Sequence, residues 1–280
     1  MTRQDPTRNA FCELLSGPGM GDVRDVRDVR AVPVGTWLMS GAPATAEALS
    51  HAGFDWLLID MEHAPFEFTD MQHLLRAVDC GRAAPVVRLA RTDATLAKRA
   101  LDMGAQTLMF PFVQTVEEAR AAVAATKFPP LGTRGFAAMH RASRYGTWSE
   151  FSRRANDATA CIVQLETPEA IARLEDIAAV PGVDALFVGP GDLSAALGKI
   201  GAINDPELQA VLADCARRAR AIGKPIGIVG PTPAMVGDFI RMGYDFVAVA
   251  SDMGMLMRQA AAFLSELTGG AAQANAGGPY

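Results

Sequence analysis

An alternation repeated eight times constrains this chain more than any other feature: a short apolar, β-branched run, then an amphipathic stretch of helical length. The runs cover residues 35–39, 56–60, 86–89, 107–111, 161–166, 185–189, 225–229 and 246–250. A strand that leads into a helix must return to its sheet in parallel, so the pattern predicts repeated βα units around one parallel sheet. Most of the helical stretches begin with capping chemistry: Thr92-Asp93 before 94–103, Thr115 before 116–126, and Thr167-Pro168 before 169–179. Gly53, Gly104, Gly182, Gly223 and Gly243 stand where helices should end. Eight units in roughly 240 residues match a closed (β/α)8 TIM barrel, whose usual length is about 250 residues. The competing architecture is a doubly wound open sheet, because a strand count does not prove closure.

Two segments fall outside this alternation. Residues 17–30 contain three successive Asp-Val-Arg triplets from Asp22, and a Gly/Ala-rich tail begins at Gly269. The expected organisation is an N-terminal helix and charged extension over 1–34, the barrel over 35–268, and a disordered tail over 269–280.

Half of the residues are hydrophobic and a fifth charged, which is enough apolar material for one large core. The formal net charge of −5 offers no overall attraction to nucleic acid or an anionic membrane, and a small or metal-chelated substrate fits it better. Cys12, Cys80, Cys161 and Cys215 are widely spaced, with no CxxC pair and no Cys/His cluster. Neither a zinc knuckle nor a disulfide framework is indicated, and the expectation is reduced, mostly buried thiols. No apolar run approaches the roughly 20 residues of a membrane span, and the polar start MTRQDPTRN lacks the apolar segment of a secretory signal. The expected location is the cytoplasm.

In either architecture ligands bind beyond the carboxyl ends of the strands. Polar residues concentrate there. The second run ends in Asp60-Met61-Glu62-His63, the third contains Arg88, the fifth ends Gln164-Leu165-Glu166, and the sixth leads into Gly189-Pro190-Gly191-Asp192. Glu166 and Asp192 are one βα unit apart, which puts two carboxylates at adjacent strand mouths. They suit a hard divalent cation that keeps water and takes further oxygens from its substrate, namely Mg²⁺, Mn²⁺ or Co²⁺. The structural alternative is a glutamate paired with Arg88 and an aspartate capping the following helix.

Of the four histidines, His51, His63, His73 and His140, only His63 directly follows a strand and stands beside acids, where it can carry a proton near neutral pH. His51 and His73 fall within helices. His140 belongs to a long polar connection over 127–157, expected to cover the site as a lid. That connection carries Arg134, Arg141 and Arg144, which are either solvated or met by an anionic substrate or a neighbouring subunit. Arg88 projects from the apolar run PVVRL, where a charge requires a partner, and its planar fork suits a carboxylate or enolate oxygen. Backbone N–H groups of 191–193 open a helix and offer donors to a substrate carboxylate.

The segments FDWLLIDMEHAP, PVVRLARTD, LDMGAQTLMFPFVQT, FPPLGTRG with RASRYG, IVQLET, VDALFVGPGDLS and FVAVASD occur in order from about 35 to 265. Together they resemble the HpcH/HpaI aldolases, the metal-dependent class II pyruvate aldolases. The resemblance implies that His63 is the catalytic base, Arg88 the transition-state stabiliser, and Glu166 and Asp192 the metal ligands. Gln164 and Gly191, with Arg88 and Asp192, match substrate-contacting positions. Asp102 matches an aspartate held to raise the basicity of the histidine. Since Asp102 ends a helix on the barrel's lower side, the resemblance implies that it reaches a neighbour's site within a homohexamer, a dimer of trimers. A C-terminal helix packed on a neighbouring subunit belongs to the same expectation. The implied reaction is reversible cleavage of 4-hydroxy-2-oxo acids to pyruvate, or a related 2-oxo acid, and an aldehyde. Three departures bear on substrate choice. The 17–30 excursion is long, it lies just before the first strand whose loop (39–43) should shape the aldehyde pocket, and Gly191 stands where alanine or serine is common.

The lysines exclude a second route to the same reaction. Of 26 basic residues only Lys98, Lys127, Lys199 and Lys224 are lysines, leaving 22 arginines. A Schiff-base aldolase needs a lysine at a strand's carboxyl end. Lys98 and Lys127 fall in helical stretches, Lys199 lies beyond the sixth turn, and Lys224 precedes the seventh strand, so a metal-stabilised enolate remains. Two alternatives use different chemistry or none. One is a metal-dependent 2-oxo acid decarboxylase or CoA-ester lyase with the same enolate. The other is a non-catalytic barrel that binds a metabolite.

Overall fold

The structure, a computed structural model, describes residues 7–16 and 32–269. Eight parallel strands close into a barrel in sequence order, with β8 returning to β1. They are β1 (Val34–Leu38), β2 (Trp56–Asp60), β3 (Ala84–Arg88), β4 (Thr107–Phe110), β5 (Ala160–Leu165), β6 (Ala185–Val188), β7 (Ile226–Gly230) and β8 (Phe246–Ser251). Closure rules out the open sheet, and each predicted run lies within two residues of a strand. The helices are α1 (Ala10–Leu15), α2 (Pro43–His51), α3 (Phe68–Val78), α4 (Ala94–Asp102), α5 (Val116–Thr126), α6 (Phe151–Arg154), α7 (Pro168–Ala172), α8 (Leu174–Ala178), α9 (Pro190–Ala196), α10 (Pro206–Ala221), α11 (Pro233–Met242) and α12 (Asp252–Thr268). Asp93 caps α4, Thr115 forms a capping box on α5, and Thr167 caps α7. The expected 169–179 helix is interrupted at Arg173, which leaves the helical region (φ −106°, ψ 18°) and gives two short helices.

Two apolar layers hold the barrel. The strand faces turned outward pack under the helices with residues such as Leu57, Ile59, Leu74, Leu108, Val163, Leu212 and Phe239. The inward faces fill the barrel with Trp37, Trp56, Leu58, Val86, Met109, Ile162, Phe187, Val229 and Phe246. This interior is aromatic: Trp37 stacks on Phe187 at 5.5 Å, and Trp56 meets Phe246 edge-on at 5.8 Å. Such rings need facing positions without a side chain. A Cβ on Gly35 would stand 2.4 Å from the Trp56 ring, and one on Gly227 would stand 2.3 Å from Phe246.

The predicted N-terminal helix exists as α1 and plugs the foot of the barrel. Phe11 packs edge-on against Phe246 at 5.2 Å and Trp56 at 5.8 Å. Asn9 ties the plug down, donating to the carbonyls of Gln106 and Ala158 and accepting from Thr107. The Asp-Val-Arg triplets and all of the tail beyond Gly269 lie outside the described residues. The four cysteines are free, but only Cys161 and Cys215 are buried; Cys80 is exposed and Cys12 intermediate, because α1 and the α3–β3 turn lie at the surface. Among the described residues no helix is long and apolar enough to cross a membrane.

The long connection before β5 is not a lid over the strands' carboxyl ends. It leaves the carboxyl end of α5 and enters the amino end of β5, so it spans the foot of the barrel. A cavity of about 990 Å³ opens there, lined by Arg82, Arg134, Arg141, Arg144, Tyr145 and Trp148 among others.

Candidate active site

The carboxyl ends of β2, β3, β5 and β6 bring together most of the predicted residues. Asp60 and Arg88 are register partners at the ends of adjacent strands, so their side chains point to the same face. Arg88 Nε donates to Asp60 Oδ1 at 2.9 Å and Nη2 to Oδ2 at 2.7 Å, a two-point clamp with both side chains wholly buried. Arg88 Nη1 faces Glu62 Oε2 at 2.9 Å, and its guanidinium carbon lies 5.5 Å from the Trp37 ring. The partners of Arg88 are therefore Asp60 and Glu62, not Glu166. Asp60 also shapes the turn after β2, since Oδ1 accepts the N–H groups of Glu62 at 3.0 Å and His63 at 3.4 Å. His63 sits on that turn with its side chain 45% exposed and Nε2 3.9 Å from Glu62 Oε2.

Glu166 is fully buried where β5 ends. Phe112 N–H donates to Oε2 at 2.9 Å and Gln164 Nε2 to Oε1 at 2.6 Å. Phe112 is held in the left-handed region (φ 50°), a conformation costly for a phenylalanine, and this aims its N–H at the carboxylate. The turn after β6 permits the approach from the other side. A Cβ on Gly189 would stand 2.3 Å from Glu166 Oε1 and 3.0 Å from Gln164 Nε2. Gln164 Oε1 is buried and accepts no hydrogen bond among the described residues. Asp192 lies in the first turn of α9, partly exposed, with Gly191 beside it; the capping position itself is Gly189.

The electrostatics of this mouth favour positive charge. Burial, then the charge of Asp192, pushes Glu166 up to about 8 against the helping Phe112 N–H. Burial likewise raises Glu62 to about 7, with Arg88 opposing and Asp60 and Asp192 adding to the rise. Carboxyls crowded in a dry pocket hold protons unless a cation neutralises them. Glu166 and Asp192 are oxygen donors suited to a hard divalent ion, and the orphaned Gln164 oxygen lies beside them. Among the described residues no group of three or more His, Cys, Asp or Glu side chains is placed to hold a metal, so water and substrate would complete the coordination.

The remaining predicted residues lie elsewhere. Asp102 ends α4 at the foot, where Arg134 Nη2 donates to its Oδ1 at 2.8 Å and His140 Nε2 lies 3.5 Å from the same oxygen. Arg134 is buried and stacks over Phe128 at 4.4 Å, and Arg141 pairs with Asp79; only Arg144 is a solvated loop arginine. No lysine reaches the mouth. Lys98 is in α4, Lys127 follows α5 in extended backbone and donates to the carbonyls of Asn156 and Thr159, Lys199 pairs with Asp205 and Glu207, and Lys224 donates to Val183 O. Two further acids, to which the sequence assigns no role, belong to the mouth. Asp60 has a legible signal, an acid at a strand end in register with Arg88. Asp252, which accepts from Met39 and Ser40 N–H, closes the FVAVASD segment just past the eighth strand, but its partners appear only where β8 meets β1.

A closed (β/α)8 barrel whose strand ends gather a buried arginine clamp, a histidine and two unneutralised carboxylates is built as an enzyme with its chemistry at one rim. Residues 34–259 match the HpcH/HpaI aldolase/citrate lyase family. The chain belongs to that family and is a carbon–carbon lyase of the aldolase kind, acting on hydroxy-oxo acids. It is 58% identical to a 2-dehydro-3,6-dideoxy-6-sulfogluconate aldolase of Pseudomonas putida over 86% of this chain and 94% of that protein. It is 41% identical to a 5-keto-4-deoxy-D-glucarate aldolase of Enterobacter sp. over 81% and 88% of the two chains. A solved HpcH/HpaI aldolase/citrate lyase family protein from Burkholderia cenocepacia superimposes with a TM-score of 0.85 at 39% identity, covering 92% of this chain and 99% of that one.

Proposed function

We propose that this chain is a divalent-metal-dependent class II aldolase that splits 4-hydroxy-2-oxo acids into pyruvate and an aldehyde. The observation that carries the reading is Glu166, a wholly buried carboxylate held by two neutral donors, with Asp192 close enough to raise its proton affinity. Glu166 and Asp192 would hold a divalent cation, Mg²⁺, Mn²⁺ or Co²⁺, which would supply Lewis-acid stabilisation of the negative charge that develops on the keto acid. Arg88 adds a fixed positive charge to the same end, and its clamp to Asp60 means that it does not reorganise during the reaction. Gln164 and the Gly191 backbone bound the keto-acid end. His63 Nε2 takes the proton from the C4 hydroxyl as the C3–C4 bond breaks and its electron pair passes to the keto acid; the proton then returns to C3 to give pyruvate.

The relatives at 58% and 41% identity are named for sugar acids with an anionic group at the end remote from the keto acid. The same substrate class, a 2-oxo-3-deoxy sugar acid ending in sulfonate or carboxylate, is proposed here. The test is incubation with both named sugar acids, reading pyruvate, aldehyde and CO₂ separately. Pyruvate and aldehyde in equal amounts support the reading; CO₂ without aldehyde assigns decarboxylation instead.

A homohexamer, a dimer of trimers, in the cytoplasm is the proposed setting. α12 supports self-association, because Met253, Leu256, Met257, Phe263, Leu264 and Leu267 leave an apolar stripe exposed along it. In such an assembly the foot of one barrel, with Asp102 held by Arg134 and His140, would face a neighbour's His63.

A further inference from the structure

We infer that Asp252 is a positioning residue that sets the wall against which the aldehyde portion of the substrate lies. This rests on the aldolase reading above. Asp252 is buried at the start of α12 and gathers four donors on one carboxylate. Oδ1 accepts Met39 N–H at 2.9 Å and Met253 N–H at 2.8 Å; Oδ2 accepts Ser40 N–H at 3.1 Å and Ser40 Oγ at 2.5 Å. Capping does not explain this, since Ser251 already caps α12 by accepting Gly254 N–H.

The chain bends to make the connection. Ala250, just before the cap, adopts the left-handed region (φ 53°), and the pairing of β1 with β8 slips between Gly35 and Trp37 so that Trp37 lies opposite Ser251. Thr36 Oγ1 fixes the bend by donating to the carbonyls of Val249 at 2.8 Å and Ala250 at 3.3 Å. Non-glycine residues hold such a conformation only where their surroundings over-determine it.

The fixed segment is part of the mouth. Met39 packs at the open end of the barrel's interior cluster, directly after the strand whose Trp37 lies beside Arg88. Gly41 (φ +66°) brings the same loop against the turn of His63, since a Cβ there would stand 3.3 Å from Phe66 Cδ1. The four bonds of Asp252 end on the Met39–Ser40 loop and on its own helix, so its hold on the mouth runs through this loop. With Ser40 Oγ and both N–H groups engaged, the loop is fixed with Met39 packed against the interior cluster.

Asparagine at 252 cannot accept four donors, because its amide nitrogen donates, so Asp252→Asn releases the loop. Two readouts separate positioning from chemistry: deuterium exchange of the pyruvate methyl protons, which needs no aldehyde, and cleavage of the sulfonate- and carboxylate-ended sugar acids, all with added Mn²⁺. Asp252→Asn is expected to keep exchange within roughly twofold of the parent while KM for cleavage rises about tenfold or more and the preference between the two substrates shrinks. Ser40→Ala, which removes one bond of the four, should move KM the same way by a smaller factor and serves if Asp252→Asn does not fold. Parallel loss of exchange and cleavage, or unchanged KM and preference in both variants, overturns the inference. A parent protein that neither exchanges nor cleaves overturns the aldolase reading, and this one with it.

Discussion

Arg88 joins fold to chemistry in a single side chain. Removing it leaves Asp60 as an unpaired buried carboxylate, which costs about 3–5 kcal/mol of stability, and on the proposed mechanism takes a fixed positive charge from the reacting end of the substrate. Arg88→Ala is therefore expected to unfold at lower denaturant and, in whatever folds, to lose about 100- to 1000-fold in turnover. Near-parental cleavage would refute the role. Glu62 gives a pH signature. Its carboxyl rises from 4.5 to about 7 on folding because burial outweighs the help of Arg88. Between these values the folded chain keeps a proton that the unfolded chain releases, so stability falls as pH rises through the window. Thermal unfolding of the metal-free protein across pH 4.5–7 should show that fall, and Glu62→Gln should make it shallower. At this scale the sequence revealed the acids and the arginine but not their pairing. A charged residue in PVVRL announces a partner, whereas choosing Asp60 over Glu166 needs the register of β2 on β3.

Among the elements, the turn after β6 carries the sharpest constraint. A methyl on Gly189 would collide with both Glu166 Oε1 and Gln164 Nε2, so Gly189→Ala should displace that carboxylate with little effect on the hydrophobic core. Displacement by about 1 Å costs on the order of 100-fold in rate, and the half-saturating Mn²⁺ concentration should rise with it; titration of activity against Mn²⁺ checks both. The plug α1 predicts a purely structural effect. Phe11→Ala empties the aromatic foot of the barrel and should cost about 3–5 kcal/mol, read from the urea midpoint, without altering KM. Helix starts and strand runs were legible because capping residues and β-branched periods are local signals. The face of the 127–157 connection was legible too and was misjudged: a segment between a helix and the next strand must lie at the barrel's foot. Its anchoring was hidden, since Arg134, His140 and Asp102 meet across some 30 to 40 residues of sequence and no local pattern foretells it.

For the whole molecule, closure of the barrel turns scattered strand-end residues into one rim, so topology gathers the candidate residues even where the sequence hides their pairings. The exposed stripe on α12 is the surface that the proposed assembly would cover. Replacing Phe263 and Leu264 by glutamate should lower the oligomer mass seen in light scattering while the barrel's far-ultraviolet signal persists; an unchanged mass would remove α12 from the interface. The proposed mechanism depends above all on Glu166 and Asp192 holding a cation. The most direct test strips the protein with EDTA, restores Mn²⁺ or Mg²⁺, and follows pyruvate release from the 6-sulfo sugar acid by parent and Glu166→Gln proteins. The parent should cleave, lose cleavage on stripping and regain it with metal, and Glu166→Gln should show no recovery. Full cleavage by the stripped parent, or by Glu166→Gln without added metal, would contradict it.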